Sequence, residues 1–349
     1  MSYPPPPFTH LRRLTDEGGL YEHAQGITPR REHGYCLDDV ARALVVVSRE
    51  TEPDAIQDDL REHYLSFVLA AQAGDGRFRN RRSTDLTWQG QPSVEDCWGR
   101  GLWGLGVAVS LLGEPRQRDV ALTAFERGAV WRSPHSRAMA FATLGAAEVL
   151  GVLPEHHGAR ELISAAAQTI GGPGAGDGWL WPEPRLTYAN AVLPEALLAA
   201  GAALDDPSLA ADGLRLLGWL LDAQTRDGHL SVVPVGGRGP ADTVPGFDQQ
   251  PIEVAALADA CGRAYVLTGE QRWADGVDLA VSWFLGANDA GTPLYNPDSG
   301  GGCDGLERDG RNENQGAEST LALVSTMQQA GRLSLCNRYE SWSRAATSF

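Results

Sequence analysis

At 349 residues with 42% hydrophobic side chains, the chain can bury a sizeable core as one large domain or two ordinary ones. A formal charge of −16, with no cluster of basic residues beyond Arg79-Asn80-Arg81-Arg82, argues against nucleic acid, which needs a concentrated basic surface. Five cysteines with no CxxC pair fit a reducing compartment better than a disulfide framework, and the absence of an export signal or a long apolar run makes a soluble cytoplasmic protein, with no membrane partner, the expectation.

After the proline run at residues 4–7, Thr9 to Arg31 reads as an irregular lead-in, with Asp16-Glu17-Gly18-Gly19 a turn. From there the pattern is helix, loop, helix, with almost no period-two alternation of the kind a sheet needs. The helices fall into pairs: Gly34 to Glu50 with Gln57 to Gln72, Val94 to Leu112 with Gln117 to Val130, and His135 to Gly151 with His156 to Thr169. Tyr188 to Leu204 then pairs with Ser208 to Gln224, Gln250 to Leu267 with Gln271 to Leu285, and Asn314 to Ala330 with Leu333 to Ala346.

The first member of each pair is small and apolar all round, as in Gly101-Leu102-Trp103-Gly104-Leu105, and contributes almost nothing polar at mid-helix. The second is charged on one side, as in Asp58-Asp59-Leu60-Arg61-Glu62. Inner helices packed on all sides and outer helices facing water produce this alternation. Loops of one type recur after second helices, at Ala73-Gly74-Asp75-Gly76, Thr225-Arg226-Asp227-Gly228 and Gly176-Asp177-Gly178. The predicted fold is all-α, an (α/α)6 toroid of six helical hairpins, with residues 1–32 packed on it as a lead-in and 33–349 forming the barrel domain.

In such a ring the starts of the inner helices converge on one funnel. The densest start is His33-Gly34-Tyr35-Cys36-Leu37-Asp38-Asp39-Val40-Ala41-Arg42, polar at its head and apolar through Val47. Asp38 and Asp39 lie about 100° apart on a helix, so one faces the funnel and the other pairs with Arg42. The other starts offer Glu95, Asp96, Trp98 and Arg100; His135, Ser136 and Arg137; Tyr188 and Asn190; Asp248, Gln249, Gln250 and Glu253; and Glu313, Asn314, Gln315 and Glu318. The carboxylates belong to the fifth, sixth, first and second inner helices, which face a neutral or basic arc from the third and fourth.

Glutamine and glutamate spaced by three, at Gln250 and Glu253 and at Gln315 and Glu318, share a helical face and make a hydrogen-bonding set for sugar hydroxyls. A pair of carboxylates across a substrate is what glycosidic cleavage requires. Against these readings, Ser93-Val94-Glu95-Asp96 has the shape of a capping box, and Asp96 and Glu313 sit where the helix dipole favours acids without any chemistry. Pro194 interrupts the fourth inner helix, so Tyr188 and Asn190 fall on its lead-in. No HxxxH or similar spacing supports a metal, and no cofactor is expected.

His10-Leu11-Arg12-Arg13-Leu14-Thr15-Asp16, the His33 to Leu44 stretch, Asp248-Gln249-Gln250-Pro251-Ile252-Glu253 and Glu313-Asn314-Gln315-Gly316-Ala317-Glu318-Ser319-Thr320 resemble a bacterial six-hairpin glycosidase-like domain that occurs alone or attached to glycosyltransferases. The resemblance spans nearly the whole chain and implies an (α/α)6 barrel with carbohydrate as ligand. It carries no residue-by-residue catalytic assignment. The wider superfamily holds hydrolases, phosphorylases, lyases and, in a related barrel, sugar epimerases. With no transferase in the chain, a free-standing activity is expected.

The expected activity is a glycoside hydrolase acting on an oligosaccharide. Its acid and base come from Glu253, Glu318, Asp38, Asp39 and Asp96, and its sugar contacts from His33, Tyr35, Arg42, Trp98, Arg100, His135, Arg137, Tyr188, Asn190, Asp248, Gln249, Gln250, Glu313, Asn314 and Gln315. The alternatives are a glycoside phosphorylase, a sugar 2-epimerase or isomerase with His135 or His33 as base, and a non-catalytic carbohydrate-binding partner of a glycosyltransferase.

Overall fold

The computed structural model describes residues 4–346 apart from 175 and 177, with the side chains of 335–346 outside the description. Asp177 of the third repeated loop and the side chain of Cys336 therefore lie outside the description. Five of the hairpins form within a few residues of the expected limits: α2 (Leu37–Ser48) with α3 (Ala55–Ala71), α4 (Asp96–Leu111) with α5 (Pro115–Gly128), and α6 (Ser136–Val152) with α7 (His157–Ile170). They continue with α8 (Val192–Leu204) and α9 (Pro207–Ala223), then α10 (Pro251–Thr268) and α11 (Gln271–Phe284).

Local chemistry sets these limits. Asp54 and Gln57 make a reciprocal capping box at the start of α3, Asp206 accepts from the Ser208 and Leu209 amides ahead of α9, and Pro115, Pro207 and Pro251 occupy first-turn positions where no amide donor is missed.

The even-numbered helices pack in sequence, α2 on α4, α4 on α6, α6 on α8, α8 on α10, α10 on α12 (Ala317–Ala346), and α12 returns to α2, so the circuit closes. Burial follows the expected division. Every residue from Cys97 to Val109 of α4 and from Val192 to Gly201 of α8 is buried, whereas α3 buries only the face carrying Leu60, Tyr64, Leu65, Phe67, Val68 and Ala71. Among the described residues, no helix is long and apolar enough to cross a membrane.

The sixth hairpin differs from expectation. α12 runs unbroken through Gly331, which does not take the left-handed backbone a turn would need, so Leu333 to Ala346 is not a separate returning helix. The short α1 (Thr9–Leu14) packs on α12 instead. The lead-in is likewise ordered rather than irregular: after α1 come the hairpins β1–β2 (Thr15–Asp16, Gly19–Leu20) and β3–β4 (Ala24–Gln25, Thr28–Pro29).

The remaining short strands stand between helix pairs. A three-stranded ribbon joins β5 (Tyr35–Cys36), β6 (Arg81–Arg82) and β7 (Trp88–Gln89), and β8–β9 (Thr225–Arg226, His229–Leu230) is the Asp-Gly hairpin read from the repeat. β10–β11 (Tyr295–Asn296, Gly301–Gly302) and β12–β13 (Gly305–Glu307, Gly310–Asn312) lead into α12.

The expectation of featureless inner helices also fails. Arg49, just past the end of α2, lies 3.0 Å from Asp259 of α10, whose carboxylate also accepts from Ser325 and Gln329 of α12, and Arg263 of α10 lies 3.2 Å from Glu195 of α8. Such pairs read as isolated charges in one dimension because their partners come from other helices.

The closest helix contact is between α4 and α6, where small residues let the backbones approach. A Cβ on Gly106 would stand 2.1 Å from the Gly145 carbonyl oxygen, and one on Gly145 would stand 2.2 Å from that of Leu102. Gly106→Ala should therefore lower stability by about 1–3 kcal/mol in urea denaturation, because backbone cannot step aside. At Gly151, in the same helix as Gly145 and with nothing near its missing side chain, alanine should raise stability by up to about 1 kcal/mol.

Candidate active site

Where α2, α10 and α12 begin, residues of all three line one lobe of a cavity, of about 340 Å³. A second lobe, of about 580 Å³, lies at the starts of α4 and α6, and Asp38 and Arg100 line both. The floor of the first lobe is Arg42. Its Nη2 donates to Asp39 on its own helix, its Nη1 donates to Glu318 of α12 at 2.9 Å, and its Nε donates to the Asp38 carbonyl at 3.1 Å. Beneath the guanidinium lies a small, mainly apolar cavity walled by Trp103, Phe141, Val192 and Leu321.

Asp38 turns to the opening and Asp39 toward Arg42, as their angular separation requires. The Arg100 guanidinium lies 3.1 Å from Asp38 Oδ1, and the Asn80 amide donates to its Oδ2 at 2.8 Å. Burial alone would raise the pKa of Asp38, but Arg100, Arg42 and Asn80 outweigh it and hold the carboxyl below the usual range. At Asp39 the balance runs the other way: burial pushes the pKa up to about 7 against the pull of Arg42.

Asp248 closes the other side of this lobe. Its Oδ1 is buried against Gly305 of β12 with no hydrogen-bond partner, and burial, together with the charges of Glu307 and Asp304, raises its pKa. Asp304 is held by the Gly316 amide at 2.7 Å and by the Ser319 hydroxyl, which fixes the entry to α12.

In the second lobe Arg137 grips Glu183 through both guanidinium nitrogens, at 2.9–3.0 Å, and donates to the Tyr188 carbonyl and to Asn190. Its guanidinium also lies 4.8 Å from the centre of the Tyr188 ring, and the Tyr188 hydroxyl donates to Asp96 at 2.8 Å. Glu95, His135 and Ser136 complete the wall.

Thus Asp38, Asp39, Arg42, Arg100, Asp248, Gln250 and Glu318 meet in one lobe, and Asp96, Arg100, His135, Arg137 and Tyr188 in the other. The other expected residues line neither. Glu253 is 2% exposed behind Asn190, whose amide donates to it at 2.7 Å. Tyr35 is buried and donates to Asp16 in the lead-in, His33 sits on an exposed turn edge-on to His23, and Trp98 is core, donating to the Gly128 carbonyl.

Gln249 is buried between Asp289 and Trp283, Gln315 accepts from Ser299, Asn314 accepts from the Gly26 amide, and Glu313 is exposed and paired with Arg311. The spacing-of-three reading fails at these positions because α10 begins at Pro251 and α12 at Ala317. Residues before those points lie outside the helix, where a 3.6-residue period has no force. Nor is Ser93 a cap: the first turn of α4 has no side-chain cap, and Ser93 instead approaches Cys97.

Several lining residues carried no signal in one dimension. Glu22, His23 and Asp304 come from turns of the lead-in and the last loop. Arg81, from the one basic run in the sequence, ion-pairs with Glu22. Glu183 overturns the expected neutral or basic arc, because it neutralises Arg137. Glu22, Cys36 and Asp39 place one ligand atom each within 4.8 Å of one another. Arg81 and Arg42 already supply the positive charge there, and burial pushes the Cys36 thiol well up, so the arrangement is an ion-paired one rather than a metal cradle.

Burial raises the pKa of Glu253 to about 7. A carboxyl that holds its proton more tightly in the folded state contributes stability in full below its unfolded pKa and loses it as pH rises through the folded value. Glu253→Gln keeps an acceptor for Asn190 and cannot ionise. Its melting temperature relative to the parent should therefore climb between about pH 5 and pH 8, and parallel curves would show that Glu253 does not titrate.

No protein-family model and no curated protein matches the chain. Among solved structures it is similar to a D-mannose isomerase, with 10% identity, a TM-score of 0.70, and coverage of 93% of this chain and 95% of that one. It is also similar to a sugar epimerase from a ruminal bacterium, with 13% identity, a TM-score of 0.66, and coverage of 92% and 95%. A GH76 α-mannanase of Bacteroides thetaiotaomicron aligns over 95% of both chains with 12% identity and a TM-score of 0.65. The chain shares its overall fold with these three proteins.

Proposed function

We propose that the closed helical circuit is an (α/α)6 toroid and that the chain is a carbohydrate-active enzyme cleaving a glycosidic bond by hydrolysis. One observation carries this reading: two carboxyls on the wall of one cavity are driven in opposite directions by their surroundings. Asp38 is held ionised by Arg100, while Asp248, half-buried with its Oδ1 shut off from any hydrogen-bond partner and with Glu307 and Asp304 nearby, has its pKa raised. A base or nucleophile and a proton donor are the two roles that glycosidic cleavage asks of paired carboxyls.

In this reading Asp248 gives its proton to the leaving oxygen and Asp38 activates water or attacks the sugar carbon. Arg42 is locked between Asp39 and Glu318, and Tyr188 presents a half-exposed ring for a sugar to stack on. Glu253, shut away behind Asn190, takes no part in the chemistry. Hydrolysis is favoured over phosphorolysis because each of the four arginines lining the two lobes is already paired with a carboxylate, so none of them is free to hold inorganic phosphate.

A sugar 2-epimerase or isomerase is the second reading, supported by the likeness to such enzymes and by His135 on the wall of the second lobe. An oligosaccharide screen with and without phosphate, followed by chromatography, separates the possibilities. Shortened products without phosphate are expected; epimerised products of unchanged length, lost in His135→Ala, would transfer the assignment.

Asp38→Asn and Asp248→Asn should each lower kcat by about 10²–10⁴-fold. The rate profile should be bell-shaped, falling on the alkaline side as Asp248 loses its proton and on the acid side as Asp38 gains one. Retained activity in both variants would remove them from the mechanism.

A further inference from the structure

We infer that the funnel is selective for charge: it rejects glycans bearing acidic groups and holds an amine-bearing sugar more tightly than its neutral counterpart. The inference rests on the sugar-binding reading above and adds the class of sugar. The first lobe is lined by six carboxylates and the second by four, with Asp38 common to both, making nine in all. Arg42, Arg81, Arg100 and Arg137 are the guanidiniums that oppose them, with His23 and His135 the other bases on the walls.

Each of these guanidiniums is already engaged: Arg42 by Asp39 and Glu318, Arg81 by Glu22, Arg100 by Asp38 and Arg137 by Glu183. Even with Asp248 neutral, the cavity carries a surplus of negative charge. The imbalance registers on the molecule itself, since beside burial Glu318, Glu22 and Asp38 add to the upward shift of Asp39, and Asp304 to that of Asp248.

A cavity of one sign focuses its field into the space a ligand must enter, and like charges brought together there discriminate strongly between partners. A uronate or sulfate would meet this surplus with every guanidinium on the walls already paired. An ammonium on the sugar meets Glu95, which has no ion-pair partner among the described residues, and Asp96, whose nearest cation is Arg100 at 3.8 Å and whose other partner is the neutral Tyr188 hydroxyl. These two acids stand at the start of α4, on the half-exposed rim of the second lobe and away from Asp248. An amine bound there leaves the proton donor undisturbed.

Calorimetric titration of the full chain with matched oligomers of glucosamine, glucose and glucuronate, in each common linkage, tests the order directly and needs no turnover. Expected is binding of the glucosamine oligomer roughly tenfold tighter than the glucose oligomer at low salt, with the advantage shrinking as salt rises, and no measurable binding of the glucuronate oligomer. Asp96→Asn and Glu95→Gln should each reduce the advantage of the amine, with the neutral oligomer as the internal reference. Equal affinity for the three, or tighter binding of the acidic one, overturns the inference while leaving a sugar-binding funnel in place. Failure of all three to bind overturns it together with the reading on which it rests.

Discussion

The bond on which the architecture and the site both depend is the fork of Arg42 between Asp39 and Glu318. It joins the first inner helix to the last and so locks the seam where the ends of the circuit meet. It also forms the floor of the first lobe and the ceiling of the apolar cavity below. Breaking a buried pair by removing one partner leaves an uncompensated charge, which costs far more than the pair itself contributes. Arg49 and Asp259 repeat the device further along the same seam and draw in Ser325 of α12. One arginine in α2 and one capping its end thus hold together parts of the chain more than 200 residues apart.

Helix polarity explains why the opening is acidic. Inner helices of the circuit point their amino ends at one face, and the partial positive charge of each end favours carboxylates in the first turn. Asp38 and Asp39, Asp96 and Glu318 occupy such positions. One helix would gain a little stability from this; several sharing a cavity create a field. Burial, with Glu318, Glu22 and Asp38 adding to it at Asp39 and Glu307 and Asp304 at Asp248, resists the ionisation of both, while Arg100, Arg42 and Asn80 hold Asp38 ionised. Opposite protonation tendencies within one cavity therefore arise from where the four arginines are spent.

Packing at the other end of the scale is set by small residues. Gly99, Gly106 and Gly145 bring α4 and α6 to backbone contact, and this draws the acids heading α4 close to the residues heading α6 across the second lobe. The distance between Arg100 and Arg137, each with its carboxylate, follows from a stripe with no side chains at all.

The sequence by itself determined five of the six expected helix pairs and the division into inner and outer members, because a 3.6-residue period, caps such as Asp54 and Asp206 and a first-turn proline such as Pro251 act within a few residues. It also determined that Asp38 and Asp39 face different ways and that Tyr188 and Asn190 precede α8. Only the tertiary structure decided which polar residues meet. Gln249, Gln315 and Glu253 satisfy every local rule for a site residue, yet are buried against Trp283, Ser299 and Asn190, whereas Glu22, Arg81, Glu183 and Asp304 come from loops that follow no period. A charge is functional or structural according to what faces it, and here the facing group is supplied by another part of the chain.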